Sequence, residues 1–350
     1  MFNYETGEYD IQLKIPTDNY QVNHVFPRHL YEFENFLSQI TVTDQNTLII
    51  LLGAFQCLGE ADFWIKPLEK FSRSIANPVV LFTGKLTCNT NYLKTELGFS
   101  YHRISMFDLV SNNYYNRNNE NILRDWRKDC YNFRTKKFYW ASSKDWYTRR
   151  YILAGLIKSK LLDDGLVNYK CIHTDIPGPW IEHHIAPAHA QHIDDECRSI
   201  QSQIPLPSLD NTVEFPQTDV NFYLDSLLGI VTDTFFDLGV FLSEKVFNAI
   251  NYQQLFFYIG YQNTLQYLKN QGYNTFDDII DTGYDTIAEP GQRLVAARAS
   301  LIEFLNRPIE KIRSDYEKSI PAIQHNKELL QKQRPDLEFT NILQKILNEH

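Results

Sequence analysis

The chain has 350 residues, 43% of them hydrophobic and 22% charged, with a formal net charge of −9. At about 150 residues per domain this length predicts two domains, and the apolar content excludes a disordered chain. The negative charge opposes a non-specific hold on nucleic acid, which rests on phosphate neutralisation.

The first residues, Met1-Phe2-Asn3-Tyr4-Glu5, form no basic and apolar leader, and no apolar run approaches ~18 residues, so a cytoplasmic protein without a membrane span is expected. The five cysteines make no Cys-x-x-Cys pair and no zinc spacing, and read as reduced thiols. Residues 47–53, ending Leu48-Ile49-Ile50-Leu51-Leu52-Gly53, are a wholly apolar run of the kind that forms a parallel strand covered on both faces. Phe63, Ile65, Leu68, Phe71 and Ile75 follow at helical spacing, and residues 78–84 give a second buried strand. Strand, helix, strand implies a right-handed crossover. Further strands are predicted at 100–105, 137–141 and 166–172, with a helix over 145–162.

Six prolines then interrupt residues 175–219, which reads as a junction. Alternation resumes with strands at 227–232 and 255–260 and helices at 243–250 and 262–270. Beyond Pro290 the chain reads as helices separated near Pro308, Pro321 and Pro335. The expected organisation is therefore α/β, with two Rossmann-like domains facing a cleft and a helical C-terminus. The first domain would span 1–174, the second 220–325, and terminal helices 326–350. Ligands of such sheets bind beyond the carboxyl ends of the strands.

The densest set of chemistry-bearing residues lies where the strand at 227–232 feeds a loop and then a helix. Asp233 follows the strand, and Ser243-Glu244-Lys245 opens the helix. Ser243 suits the N-cap, leaving first-turn N–H groups for a diphosphate. Lys245 adds a full positive charge, and Glu244 offers two acceptors for the vicinal hydroxyls of a ribose or sugar. The plainer alternative is a capped helix with a surface Glu-Lys pair, with Asp233 as a turn former. His183, His184, His189 and His192 match no zinc spacing and read as loop residues interrupted by Pro187. No metal site is expected. Tyr258, Tyr261 and Tyr267 are candidates for stacking on a base or sugar, with core packing as the alternative for strand and helix positions.

From Ile230 to about Leu305 the chain resembles the carboxy-terminal domain of exostosin-like and fucosyltransferase-like glycosyltransferases, in particular a group common in phages and large DNA viruses. The residues that carry the resemblance are Asp233, Ser243-Glu244-Lys245, Leu255 to Gly260, Leu265 to Phe276, Asp281-x-x-Tyr284-Asp285 and Arg293. Upstream, Phe138 to Ala141 followed by Lys144, Arg149 and Arg150, then Leu161 to Leu166, resembles that family's basic loop and helix end, with fewer arginines and no histidine.

The resemblance implies the two-domain GT-B architecture and transfer of a sugar from a nucleotide-sugar donor to an acceptor hydroxyl, most simply of a glycan. Lys245, the helix start at Ser243, and Lys144, Arg149 and Arg150 would stabilise the leaving diphosphate, and Glu244 and Asp233 would complete the donor site. No cofactor or metal is expected, since no Asp-x-Asp motif is present. Glu60 and Asp62, beyond the strand ending at Gly53, are the candidate catalytic bases, the alternative being carboxylates that favour a helix N-terminus. Two other readings remain: transfer to hydroxylated bases of viral DNA, for which Arg124 to Lys128 and Arg134 to Lys137 supply basic, aromatic-flanked stretches, and a non-catalytic sugar-binding relative.

Overall fold

The computed structural model describes the backbone of six strands within residues 1–133, residues 69–71 and 73, and residues 134–142, 146–169, 185–203, 220–233, 236, 240 and 242–332, with the backbone alone at Val220 and Glu244. The chain divides into two compact units, one of Met1–Glu120 with Arg334–His350 and one of Asn121–Gln333.

In the first unit, β1 (Phe2–Asn3) and β2 (Glu8–Tyr9) pair antiparallel, and a four-stranded parallel sheet runs in the order β3 (Tyr20–Val25), β4 (Leu48–Gly53), β5 (Val79–Thr83), β6 (Phe99–Arg103). The apolar runs read at 47–53 and 78–84 are β4 and β5, its two inner strands. Glu60 and Asp62 lie outside the described residues, as do Arg124 to Lys128.

The second unit is built on four parallel strands in the order β10 (Leu255–Ile259), β9 (Ser226–Thr232), β7 (Lys136–Ser142), β8 (Gly165–Tyr169). All seven residues of β9 and all five of β10 are buried, which is why both read as unbroken apolar runs. Helix α1 (Tyr147–Lys158) connects β7 to β8, and α4 (Glu244–Asn251) connects β9 to β10. These crossovers leave the middle of the sheet in opposite directions, so their common right-handedness puts α1 and α4 on opposite faces. Helices α2 (Pro187–Ser199) and α6 (Pro290–Leu305) pack with α1, while α8 (Ile320–Lys332) packs with α4. The remaining helices are α3 (Val220–Leu224), α5 (Thr264–Asn270) and α7 (Ile309–Lys318).

Three expectations differ from this arrangement. The boundary placed at 174 falls inside one sheet, because β7 pairs with both β8 and β9 and so joins residues from either side of the expected junction. The junction itself contains a 13-residue helix, since Pro187 occupies the first helical position, where its missing N–H has no intrahelical partner to lose. Pro321 likewise lies in the first turn of α8 rather than between helices, and the break falls at Ser319.

Two glycines bring layers together. A Cβ on Gly229 would stand 2.7 Å from Gln254 Oε1 and 3.0 Å from the Ala249 Cβ, so α4 lies directly against β9. Gly165 pairs in register with Phe138, whose ring covers it, and a Cβ there would be 2.3 Å from Cζ.

The basic stretch from Arg134 to Lys137 is consumed at the amino ends of the strands. Arg134, 1% exposed, donates to the carbonyls of Tyr223 (2.7 Å), Ser226, Tyr252 (2.7 Å) and Gln253 (3.2 Å), and its guanidinium lies 5.2 Å from the Tyr316 ring centre. Lys136 donates to the Asp163 carbonyl at 2.9 Å, while Lys137 pairs with Asp164 at 2.8 Å and donates to the Leu305 carbonyl at 2.9 Å. This stretch therefore ties the turns below the sheet together and offers no basic track for DNA, which removes its support for a DNA acceptor.

Glu289 joins two helices. Its carboxylate accepts from Gly291 N (2.9 Å) and Gln292 N in the first turn of α6 and from Ala186 N (3.0 Å) before α2. Burial raises its pKa, but these backbone donors and His189 outweigh it and hold the group below its ordinary value.

Two outcomes follow. Gly165→Ala forces the Phe138 ring out of place, and about 1–3 kcal/mol of stability should be lost in urea unfolding at unchanged m-value. Because the folded pKa of Glu289 lies below its unfolded value, its contribution is present above the unfolded pKa and is lost as pH falls through the folded one. Glu289→Ala should therefore flatten the acid side of the stability-against-pH curve relative to the native chain, at a cost of roughly 0.5–2 kcal/mol near neutrality.

Candidate functional site

The strand order reverses between β7 and β9, and the carboxyl end of that pair is where a doubly wound sheet opens a crevice. Two connections leave it: β7 runs through Ser142 toward α1, and β9 runs through Asp233 toward α4. Across the reversal, Trp140 Nε1 donates to Thr232 Oγ1 at 3.1 Å, joining the two strands by side chains near their ends.

Asp233, 2% exposed, continues the ladder by donating its N–H to the Ile259 carbonyl at 2.8 Å, and its Oδ2 accepts from the Tyr258 hydroxyl. Ser243 stands at the N-cap of α4 with extended backbone (φ −86°, ψ 166°), as its residue type predicts. The expected capping bond is absent. Ser243 is 1% exposed, yet its Oγ has no hydrogen-bond partner among the described residues. A buried hydroxyl in that state costs about 1–3 kcal/mol, which a bound acceptor would recover. Glu244 is the first helical residue, its side chain outside the described set, and Lys245 follows half-buried.

The basic residues near α1 divide. Lys144 lies outside the described residues. Arg149 and Arg150 are each 1% exposed in the first turn of α1. Arg149 lies 5.7 Å from the Trp146 ring centre, while Arg150 donates to Gln201 Oε1 at 2.7 Å and so helps join α1 to the turn after α2. Charge alone did not distinguish a ligand-facing arginine from one engaged between helices.

The remaining residues of the resemblance are architectural. Arg293, 2% exposed, donates to the carbonyls of Gly260 (3.2 Å), Ile287 (2.7 Å), Ala288 (3.2 Å) and Phe236 (2.8 Å), with the Phe236 ring 4.6 Å from its guanidinium carbon. It thereby ties the loops after β9 and β10 to the start of α6. Asp285 accepts from Leu265 N (3.1 Å) and Gln266 N (3.3 Å), supplying the cap that α5 lacks locally. Burial pushes the Asp285 carboxyl up, against those N–H groups and Arg293. The Tyr284 hydroxyl donates to the Tyr258 carbonyl at 2.8 Å, and burial holds it well above the usual tyrosine range.

The histidines read as loop residues differ from expectation, because Pro187 begins a helix instead of interrupting one. His192 Nε2 lies 3.1 Å from the Tyr151 hydroxyl, whose pKa burial pushes up to about 12, and His189 Nδ1 lies 3.0 Å from Glu289 Oε2. His183 and His184 lie outside the described residues, and among the described residues no three metal-binding side chains gather. Tyr258 and Tyr267 pack in or against the core, and Tyr261 lies 5.9 Å from the Arg293 guanidinium carbon. The partnership of Tyr258 with Asp233 was not foreseen; the available signal was a lone hydroxyl in the otherwise apolar strand Leu255–Ile259.

No family model matches the chain, and no curated protein matches it. Among solved structures it is similar to the N-terminal domain of Candida albicans trehalose-6-phosphate phosphatase, with a TM-score of 0.40 and 9% identity over 86% of this chain and 72% of that one. It is also similar to the UDP-forming alpha,alpha-trehalose-phosphate synthase of Burkholderia vietnamiensis, with a TM-score of 0.39 and 11% identity over 90% and 77% of the two chains. The corresponding Burkholderia multivorans enzyme gives a TM-score of 0.39 and 10% identity over 92% and 77%. A likeness of this size carries no argument about activity, which rests on the site itself.

Proposed function

We propose that the chain is a glycosyltransferase that holds a nucleotide-sugar donor at the carboxyl ends of β7 and β9 and transfers the sugar to an acceptor hydroxyl, most simply of a glycan. The observation that supports it is the start of α4: an N-terminus not capped by its own serine, with the buried Ser243 hydroxyl unpartnered among the described residues, at the reversal of strand order. Such a terminus presents N–H groups and a partial positive charge to an anion.

In this reading the α4 N-terminus and Ser243 bind the diphosphate, and Lys245 neutralises the charge that develops as it leaves. Lys144 and Arg149 are the candidates for adding to that charge from the β7 side. Glu244 accepts from the vicinal hydroxyls of ribose or sugar. The acceptor oxygen bonds to the anomeric carbon as the bond from that carbon to the diphosphate oxygen breaks, and the acceptor proton passes to a carboxylate, for which Glu60 and Asp62 are the candidates. Fixed positive groups can stabilise the leaving diphosphate without a divalent cation, so the proposal includes no metal.

The test is a thermal-shift screen against UDP-, GDP-, CMP- and dTDP-sugars. One nucleotide should raise the melting temperature, by the equivalent of about 2.7 kcal/mol at a hundredfold excess over Kd. Lys245→Ala should weaken that nucleotide about ten- to a hundredfold, in keeping with loss of a charge-assisted bond, with the unliganded melting temperature unchanged. Ser243→Ala should leave the unliganded protein unimpaired, in contrast to the ~1 kcal/mol lost when a working N-cap is removed. No response to any of the four nucleotides would contradict the proposal.

A further inference from the structure

The end of α4 opposite Ser243 holds a group of side-chain amides that the protein does not complete. Gln254 is 1% exposed, and Asn248 and Asn251 are buried as well. Among the described residues Gln254 Oε1, Asn248 Oδ1 and Asn251 Nδ2 have no hydrogen-bond partner. The three belong to one layer. Gln254 is tied by its N–H to the Ala249 carbonyl at 2.9 Å, and its Oε1 and the Ala249 Cβ both lie over Gly229 of β9. Gly229 pairs in register with Tyr139, whose ring meets that of Tyr223 at 4.7 Å, and Asn248 Nδ2 donates to the Tyr223 hydroxyl at 3.1 Å. Asn251 lies one turn beyond Asn248 on α4, and the ring of Tyr252 after it stacks on Tyr223 at 4.9 Å.

The direction of the Gln254 amide is fixed by its neighbours. Ser226 Oγ donates to the Phe222 carbonyl at 2.8 Å, so it can only accept from Gln254, whose Nε2 lies 2.6 Å away. Turning that amide round would set two acceptors against each other, and its oxygen therefore faces Gly229. For Asn248 the Tyr223 hydroxyl can serve either end of the amide, and either choice leaves the other end unmet. Buried amide groups in this state are costly, and native proteins commonly complete them with ordered water.

We propose that a buried water molecule is built into the layer between β9 and the last turn of α4, where it bridges Gln254 Oε1, the Asn248 amide and Asn251 Nδ2. Buried waters typically make about three hydrogen bonds to groups of this kind. The unmet atoms, two acceptors and one donor on neutral amides, suit a water better than an ion. A cation would have the Arg134 guanidinium as a neighbour across the Ser226 carbonyl, and an anion would meet a single donor. The water ties α4 to β9 at the end of the helix away from Ser243, and the inference is independent of any ligand at the helix start.

The experiment is a crystal structure of the full-length chain at a resolution that shows ordered water, joined to magnetic relaxation dispersion of the water oxygen in solution. Density should stand within hydrogen-bond distance, about 2.7–3.2 Å, of both Gln254 Oε1 and the Asn248 amide. In solution Gln254→Leu and Asn248→Leu should each lose one long-lived water relative to the native chain, and the double variant should lose no more than either. A native crystal with no density at Gln254 Oε1, with a protein group in its place, or with a water that reaches only one of the two side chains would overturn the proposal. So would a dispersion unchanged in either single variant, or losses that add in the double variant. If the variants do not fold, the native density decides alone.

Discussion

The carboxyl end of the second unit depends on a guanidinium taken out of water. Arg293 is 2% exposed and donates to the backbone carbonyls of Phe236, Gly260, Ile287 and Ala288, drawn from the loop after β9, the end of β10 and the approach to α6. A charge in such surroundings is tolerated only when its donors are met, so the three segments are not free to vary independently. The loop that leads from Asp233 toward α4 is one of them. Removing the guanidinium would release that loop and leave several buried carbonyls without donors, and so disturb the site without touching a ligand.

The opposite end of the sheet is organised by the same device and to a different end. Arg134 gathers the carbonyls of the α3–β9 and α4–β10 turns, and Lys136 and Lys137 fix neighbouring segments. There the polar groups of the turns are met by the protein's own side chains. At the carboxyl end two helices begin under contrasting conditions: α6 is capped by Glu289, whereas α4 begins at a serine whose hydroxyl makes no capping bond. The contrast between a terminus capped by a side chain and one whose serine makes no capping bond, within one unit, is the physical basis for the proposal that a ligand binds at α4.

Where a strand is buried throughout, as β9 and β10 are, its sequence shows it. β4, β5, β9 and β10 were legible as apolar runs, and the loop-to-helix step at Ser243 was legible from the residue type. β3 was not read, because Tyr20-Gln21-Val22-Asn23 mixes polar and apolar residues, as suits a strand at the sheet edge. The helix at Pro187 was hidden because a proline reads equally as a break or as a first helical residue. The domain boundary was out of reach for a different reason: local pattern shows that β7 and β9 are strands, and only pairing shows that they are neighbours. In the site the same limit applies to charge. Arg150 reads as an anion binder in sequence, and the structure shows it donating to a glutamine side chain. Arg293 and Asp285 carry the resemblance without a role legible from their type, and the structure shows the first holding loop carbonyls and the second capping a helix.

The central claim is that the first turn of α4 receives the phosphates of a nucleotide. Backbone amide shifts recorded during a UDP titration test it within a single spectrum. The amides of Glu244, Lys245 and Val246 should move in a saturable way, while those of Gly291 and Gln292, already bonded to Glu289 in α6, should stay in place. Saturable shifts that spare the start of α4, or that appear equally at the start of α6, would contradict the account.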